Sequence, residues 1–190
     1  MRGKLFLSLL LACMVITIAA FVPAARAQDN SHTNPAAKGV PVKSIVEIGS
    51  VAASNYDVTI TVLETVRGKG ATERLLAASP DNKPPKPGFE YVLARVKFEL
   101  RGRAASDNKS FDLASSPFQW VAYSADFNQY ETLSVTSPKP ELKGMVKPGD
   151  AMEGWVAFAV EQKESRPIMT FDPASGGATG RGPTLFFKLY

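Results

Sequence analysis

One histidine, His32, and one cysteine, Cys13, make up the whole stock of imidazole and thiol in this sequence. Zinc and copper sites draw on those two residue types, and so do Ser-His and Cys-His nucleophile arrangements. His32 lies in a polar stretch near the N terminus and Cys13 in an apolar run, so neither chemistry is expected, and no cofactor is. Carboxylates remain. Asp126, Asn128 and Glu131 fall close together in DFNQYE. A calcium ion takes about six to eight oxygen ligands, and three neighbouring donors do not make that shell. A solvated hairpin is the expectation. Glycoside hydrolysis would need two acids with one carboxyl raised in pKa in a cleft, and nothing in the sequence marks such a pair. The run Ser175 to Gly182 is glycine-rich but lacks the G-K-[ST] ending and the following helix of a phosphate loop. Met145, Met152 and Met169 are too dispersed for a copper cluster and are expected to fill the core.

Aromatic residues offer the better hint of binding. Tyr91 and Trp155 fall on strand faces opposite the apolar rows Val92/Val96/Phe98 and Val156/Phe158, and Tyr123 does the same if Trp120 points inward. Rings exposed on a flat sheet would suit a protein or glycan partner, since a ring presents large apolar area at low entropy cost. Long loops covering both faces would instead bury them.

The elements that position these residues begin after an export signal. Met1 to Lys4 is cationic, Leu5 to Val22 carries no charge, and Pro23 and Ala25-Arg26-Ala27 follow. This is the three-part pattern of a secretory signal, with cleavage expected between Ala27 and Gln28. Cys13, preceded by Leu10-Leu11-Ala12, also resembles a bacterial lipobox, and lipidation there would leave a tethered protein. Against it, the apolar stretch continues past the cysteine. Three of the 22 basic residues lie in residues 1–27, which contain no acid, so 19 basic residues face 18 acidic ones afterwards. A near-neutral domain gives no electrostatic ground for nucleic acid. Membrane contact is expected only through the signal or a lipid anchor.

Residues 28–42 read as a flexible leader and residues 43–190 as one domain. Strands are expected at Lys43–Val51, Tyr56–Leu63, Phe89–Leu100, Phe111–Leu113, Phe118–Tyr123, Glu131–Val135, Ala151–Val160, Ile168–Phe171 and Thr184–Tyr190. Their period-two alternation marks half-buried strands. Ala71–Ala78 is the one helical piece, and Pro84 to Gly88, Pro138 to Pro140, Lys147 to Asp150 and Ala174 to Pro183 are turns and loops. Pro148-Gly149 is expected to form a tight turn, and Gly154 to leave room for a large neighbour from an opposing sheet. The fold class is all-β, an antiparallel sandwich.

Pro87-Gly88 leading into Phe89–Phe98, and Pro148-Gly149-Asp150 running into Gly154-Trp155-Val156-Ala157-Phe158, together resemble a telokin-like, immunoglobulin-like domain of unknown function. That domain recurs in secreted proteins and lipoproteins of bacteria, and the mycobacterial immunoprotective antigen has a related sandwich. The resemblance spans roughly residues 44–190. It implies an immunoglobulin-like fold and a secreted, periplasmic or lipid-anchored location, and it supplies no catalytic residues. The functional expectation is a non-enzymatic module for protein or ligand interaction at the cell envelope or outside the cell. A carbohydrate-binding module is the alternative, and a small outer-membrane barrel is a further one. Intact mass and N-terminal sequencing of the exported protein check the signal: a chain starting at Gln28 is expected, and an acylated Cys13 terminus is the contrary result.

Overall fold

The alternation that marks the strands also decides what they bury. In the computed structural model, which describes residues 29–49, 52–105, 107–113, 119–174 and 180–190, Tyr56, Val58, Ile60 and Val62 are fully buried while the residues between them are half-exposed. These lie on β2 (Ser54–Arg67). It pairs antiparallel with β1 (Val42–Ile48) on one side and with β3 (Phe89–Gly102) on the other. β7 (Ala151–Glu161) and β9 (Gly180–Arg181) complete a five-stranded sheet in the order β7-β3-β2-β1-β9. A three-stranded sheet, β10-β8-β5, is formed by Leu185–Lys188, Ile168–Phe171 and Trp120–Tyr123. A two-stranded ribbon joins β4 (Phe111–Leu113) to β6 (Gly144–Val146). All strand pairs are antiparallel, and side chains from all three sheets meet in one apolar cluster, so the chain is an all-β sandwich. Among the described residues the strands do not close into a barrel: the largest sheet ends at β7 and β9, and the space between the sheets is filled with side chains.

Four rings tie the sheets together. Phe98 of β3 stacks on Phe111 of β4 at 5.3 Å, and both lie 5.8 Å from Phe171 of β8. Trp120 of β5 sits 4.7 Å from Phe171.

β2 carries a bulge. Val62 pairs with Val96, but Glu64 pairs with Arg95, so Leu63 is an extra residue. The extra residue flips the facing of everything beyond it. Val66 therefore leaves the main core and joins a second cluster with Ala71, Leu75, Tyr91, Leu93 and Trp155. That cluster lies under α1 (Lys69–Ala78), whose Ala71 and Leu75 stand one turn apart on the buried face. Gly68, at φ 67°, turns the chain from β2 into this helix, and its amide donates to the Tyr91 carbonyl at 2.9 Å.

Several expectations are corrected. Residues 29–41, read as a flexible leader, are tied to the sandwich. The Asn30 side chain exchanges two hydrogen bonds with the Phe186 backbone at 2.7 and 2.8 Å, and Ala36 is buried in a parallel bridge to Phe187. The physical reason is that β10 is an edge strand with unpaired backbone groups, and the leader satisfies them. Residues 131–135 have strand-like alternation but lie in no strand. Gly180-Arg181, read as loop, is β9. Met145 is exposed rather than in the core, whereas Met169 is buried. Cys13, Ala27 and Gln28, the expected lipidation and cleavage positions, fall outside the described residues, as does the loop 175–179.

Lys147 to Asp150 is the tight turn expected: Gly149 has φ 94°, and its amide donates to the Leu100 carbonyl at 2.8 Å. Gly154 is small for a different reason than expected. A Cβ there would collide with the backbone of Glu141 and Leu142, not with a side chain of the opposing sheet. The segment 140–142 runs along β7 at this point, with the Trp155 amide donating to the Pro140 carbonyl at 2.8 Å. Gly154→Ala is expected to destabilise the fold by about 2–3 kcal/mol through overpacking against backbone, measured by urea denaturation; an unchanged midpoint would contradict this packing.

Candidate functional site

The sequence placed Tyr91 and Trp155 on a face away from the main core, and the structure does too. That face is not open. Tyr91 is 5% and Trp155 8% exposed, so they form no exposed binding platform. α1 and residues 133–135 cover them, because Leu133, Val135 and the helix have apolar side chains that need the same burial. Arg74 of the helix lies over the Trp155 ring at 5.3 Å. The Tyr91 hydroxyl donates to the Lys83 carbonyl at 2.8 Å, which fixes the loop that follows the helix.

That cover leaves a cleft of about 860 Å³ between the proline-rich loop 81–89 and residues 128–135. Its apolar lining includes Phe89, Tyr91, Tyr130 and Leu133, and Pro84-Pro85 adds a rigid wall. Phe89 and Tyr130 meet edge to face at 6.4 Å. The two walls are joined twice. Lys86 and Glu131 form an exposed ion pair at 2.6 Å, and the Lys86 hydrogen bond and charge hold the Glu131 carboxyl below its usual pKa. Such exposed pairs hold little. The second tie is more sheltered, since the Asn82 side chain is buried and its bonds to Thr136 are partly so. Asn82 Nδ2 donates to the carbonyls of Leu75 at 2.7 Å and Thr136 at 2.8 Å, and the Thr136 amide donates to Asn82 Oδ1 at 2.9 Å. One side chain thus joins the helix end, the loop and the covering segment. Asn82 was not singled out from the sequence, where an asparagine beside proline and lysine reads as an ordinary turn residue.

Between these ties, residues 131–135 make no backbone hydrogen bond among the described residues. On the other side of the segment lies a cavity of about 290 Å³, lined by Trp120, Tyr130, Leu142 and Trp155 among others. Burial is the largest cause raising the pKa of the Tyr91, Tyr123 and Tyr130 phenols, with the Asp172 charge adding to it at Tyr123. All three phenols are therefore neutral at ordinary pH.

Asp126, Asn128 and Glu131 do not converge. Glu131 is engaged with Lys86, Asn128 lines the large cleft, and Asp126 lines a separate hollow. Among the described residues no group of three His, Cys, Asp or Glu side chains is placed to hold a metal ion, and no helix is long and apolar enough to cross a membrane. Tyr123 fares differently from Tyr91 and Trp155. Trp120 does point into the core, and Tyr123 is half-buried on the outer face, stacked on Phe127 at 4.5 Å.

Replacing Asn82 with alanine removes three hydrogen bonds and strands the Thr136 amide and two carbonyls. A loss of about 2–3 kcal/mol is expected, together with faster amide hydrogen exchange across residues 130–137; unchanged exchange there would show that the segment is held by other contacts.

No protein-family model matches the chain, and no curated protein matches it. Among solved structures it is similar to ycdA of Bacillus subtilis, described as a candidate lipoprotein, with 12% sequence identity and a TM-score of 0.46. The match covers 69% of this chain and 36% of that one, so the chain spans about a third of that protein's length.

Proposed function

We propose that this protein is an exported, non-enzymatic β-sandwich module that binds a protein or ligand partner at the cell envelope or outside the cell. The observation that carries the reading is the cleft between residues 81–89 and 128–135. Its volume of about 860 Å³ lies within the range of roughly 300–1,000 Å³ used by small-molecule sites. Aromatic rings and prolines line it, which suits recognition by apolar contact at low entropy cost. Neither histidine nor cysteine borders the cleft, so its lining offers no nucleophile-base pair of those types. Export is supported by the charge and apolar pattern of residues 1–27 and by the small residues before Gln28. Immunoglobulin-like character belongs to the same proposal and rests on the paired Pro-Gly motifs; lipid anchoring at Cys13 is the alternative to cleavage before Gln28 and rests on the lipobox-like Leu-Ala-Cys.

A photo-reactive residue at Ser134, exposed beside the cleft, tests the binding function in cells of the source organism. A discrete adduct is expected at Ser134 and not at Lys69, which is exposed at the start of the helix. No adduct at Ser134, or the same adducts from both positions, would count against the cleft as the binding site.

A further inference from the structure

Phe127 is the one described residue other than glycine with positive φ, at 62°. A side chain in the left-handed region costs free energy that glycine avoids and asparagine largely avoids. The turn it occupies, with the Phe127 amide donating to the Ser124 carbonyl at 3.0 Å and the Ser124 amide to the Asn128 carbonyl at 2.9 Å, makes no use of a ring. The ring is nonetheless held with care. It stacks on Tyr123 at 4.5 Å with an angle of 11°, and lies 5.0 Å from His32 and 6.0 Å from Phe186. These contacts fix its orientation and still leave the residue 41% exposed. Backbone strain that presents an oriented, exposed ring is the kind that gathers at binding sites.

The ring borders a hollow of about 370 Å³ between the docked leader, the 124–128 turn and the chain end. Tyr190, 48% exposed, stands on another side of it, and His32 and Thr33 come from the leader. Two charged side chains complete the lining, Arg166 and Asp126. Among the described residues neither the Arg166 guanidinium nor the Asp126 carboxylate makes a hydrogen bond or an ion pair; the Arg166 charge acts on the nearby Glu164 carboxylate, and the hydrogen-bonding atoms of both side chains stay available to a ligand. Aromatic faces beside one planar donor fork and one carboxylate acceptor match one ligand chemistry well. A sugar ring carries a face of C–H groups that packs on an aromatic ring, and an edge of hydroxyls that both donate and accept.

We propose that this hollow is a saccharide-binding site, with Phe127 and Tyr190 as ring platforms and Arg166 and Asp126 as the groups that hold sugar hydroxyls. The site shares no lining residue with the large cleft, so either reading can fail without the other. The leader is part of it, which gives the docking of residues 29–36 a use beyond closing an edge strand.

The test is a titration of the purified protein with cellotriose, chitotriose and maltotriose, followed by amide chemical shifts. At least one trisaccharide is expected to give saturable shifts at Thr33, Phe127 and Tyr190 with a Kd of about 1 mM or tighter. Arg166→Gln and Asp126→Asn are each expected to weaken that binding about tenfold or more with little change in the thermal midpoint, since neither side chain holds another group by a hydrogen bond or ion pair among the described residues and the Arg166 charge acts on Glu164 only at a distance. Phe127→Asn, which the left-handed backbone accepts, is expected to lose binding as well. Saturable shifts with none of the three sugars, shifts confined to other residues, or wild-type affinity in both charge variants would overturn the proposal.

Discussion

The contact among Phe98, Phe111, Phe171 and Trp120 is the interaction on which the rest of the sandwich depends. Each of the three sheets contributes at least one of these rings, and Phe171 touches the other three. The two-stranded ribbon is too small to be stable alone, and Phe111, with Leu113 and Val146 buried beside it in the core, seats it on the larger sheets. Offset and tilted aromatic pairs add about 0.5–1.5 kcal/mol each beyond the area they bury. With no cysteine outside residues 1–27, no disulfide can share this task in a chain that starts at Gln28.

A second constraint follows from β3. It is buried on both faces over Tyr91 to Ala94, so the sheet needs cover on its outer side as well as a partner on its inner side. The bulge at Leu63 meets that need by turning Val66 outward, and Gly68 then lets the chain start the helix that provides the cover. Residues 131–135 finish the cover without joining a strand ladder, and Asn82 anchors them. The large cleft is a consequence. It exists because the outer face is roofed by two pieces that are tied at Asn82 and Lys86 and packed less closely between those ties.

Much of the sandwich was legible because period-two alternation is a direct record of one-sided burial. The rows Tyr56/Val58/Ile60/Val62 and Val92/Ala94/Val96/Phe98/Leu100 point where the pattern says they should. Alternation is blind to pairing. Residues 131–135 alternate well and have no strand partner, while Gly180-Arg181 has no pattern and is paired with β1. The docking of residues 29–36 was hidden for a related reason. It is made by backbone groups and one asparagine amide, which look the same in sequence whether they meet water or an edge strand.

The order of residues along the chain determined that Tyr91 and Trp155 would stand off the main core, that Tyr123 would do so if Trp120 pointed inward, and that the sole histidine would lie in the leader. These are matters of local order along one chain. Only the tertiary structure decided that Tyr91 and Trp155 are roofed over, while Tyr123 backs an exposed ring at Phe127 beside His32. A side chain's facing is set by neighbours one or two residues away. Whether that face meets water is set by segments well separated along the chain, such as 133–135 over Tyr91 and the leader beside Phe127.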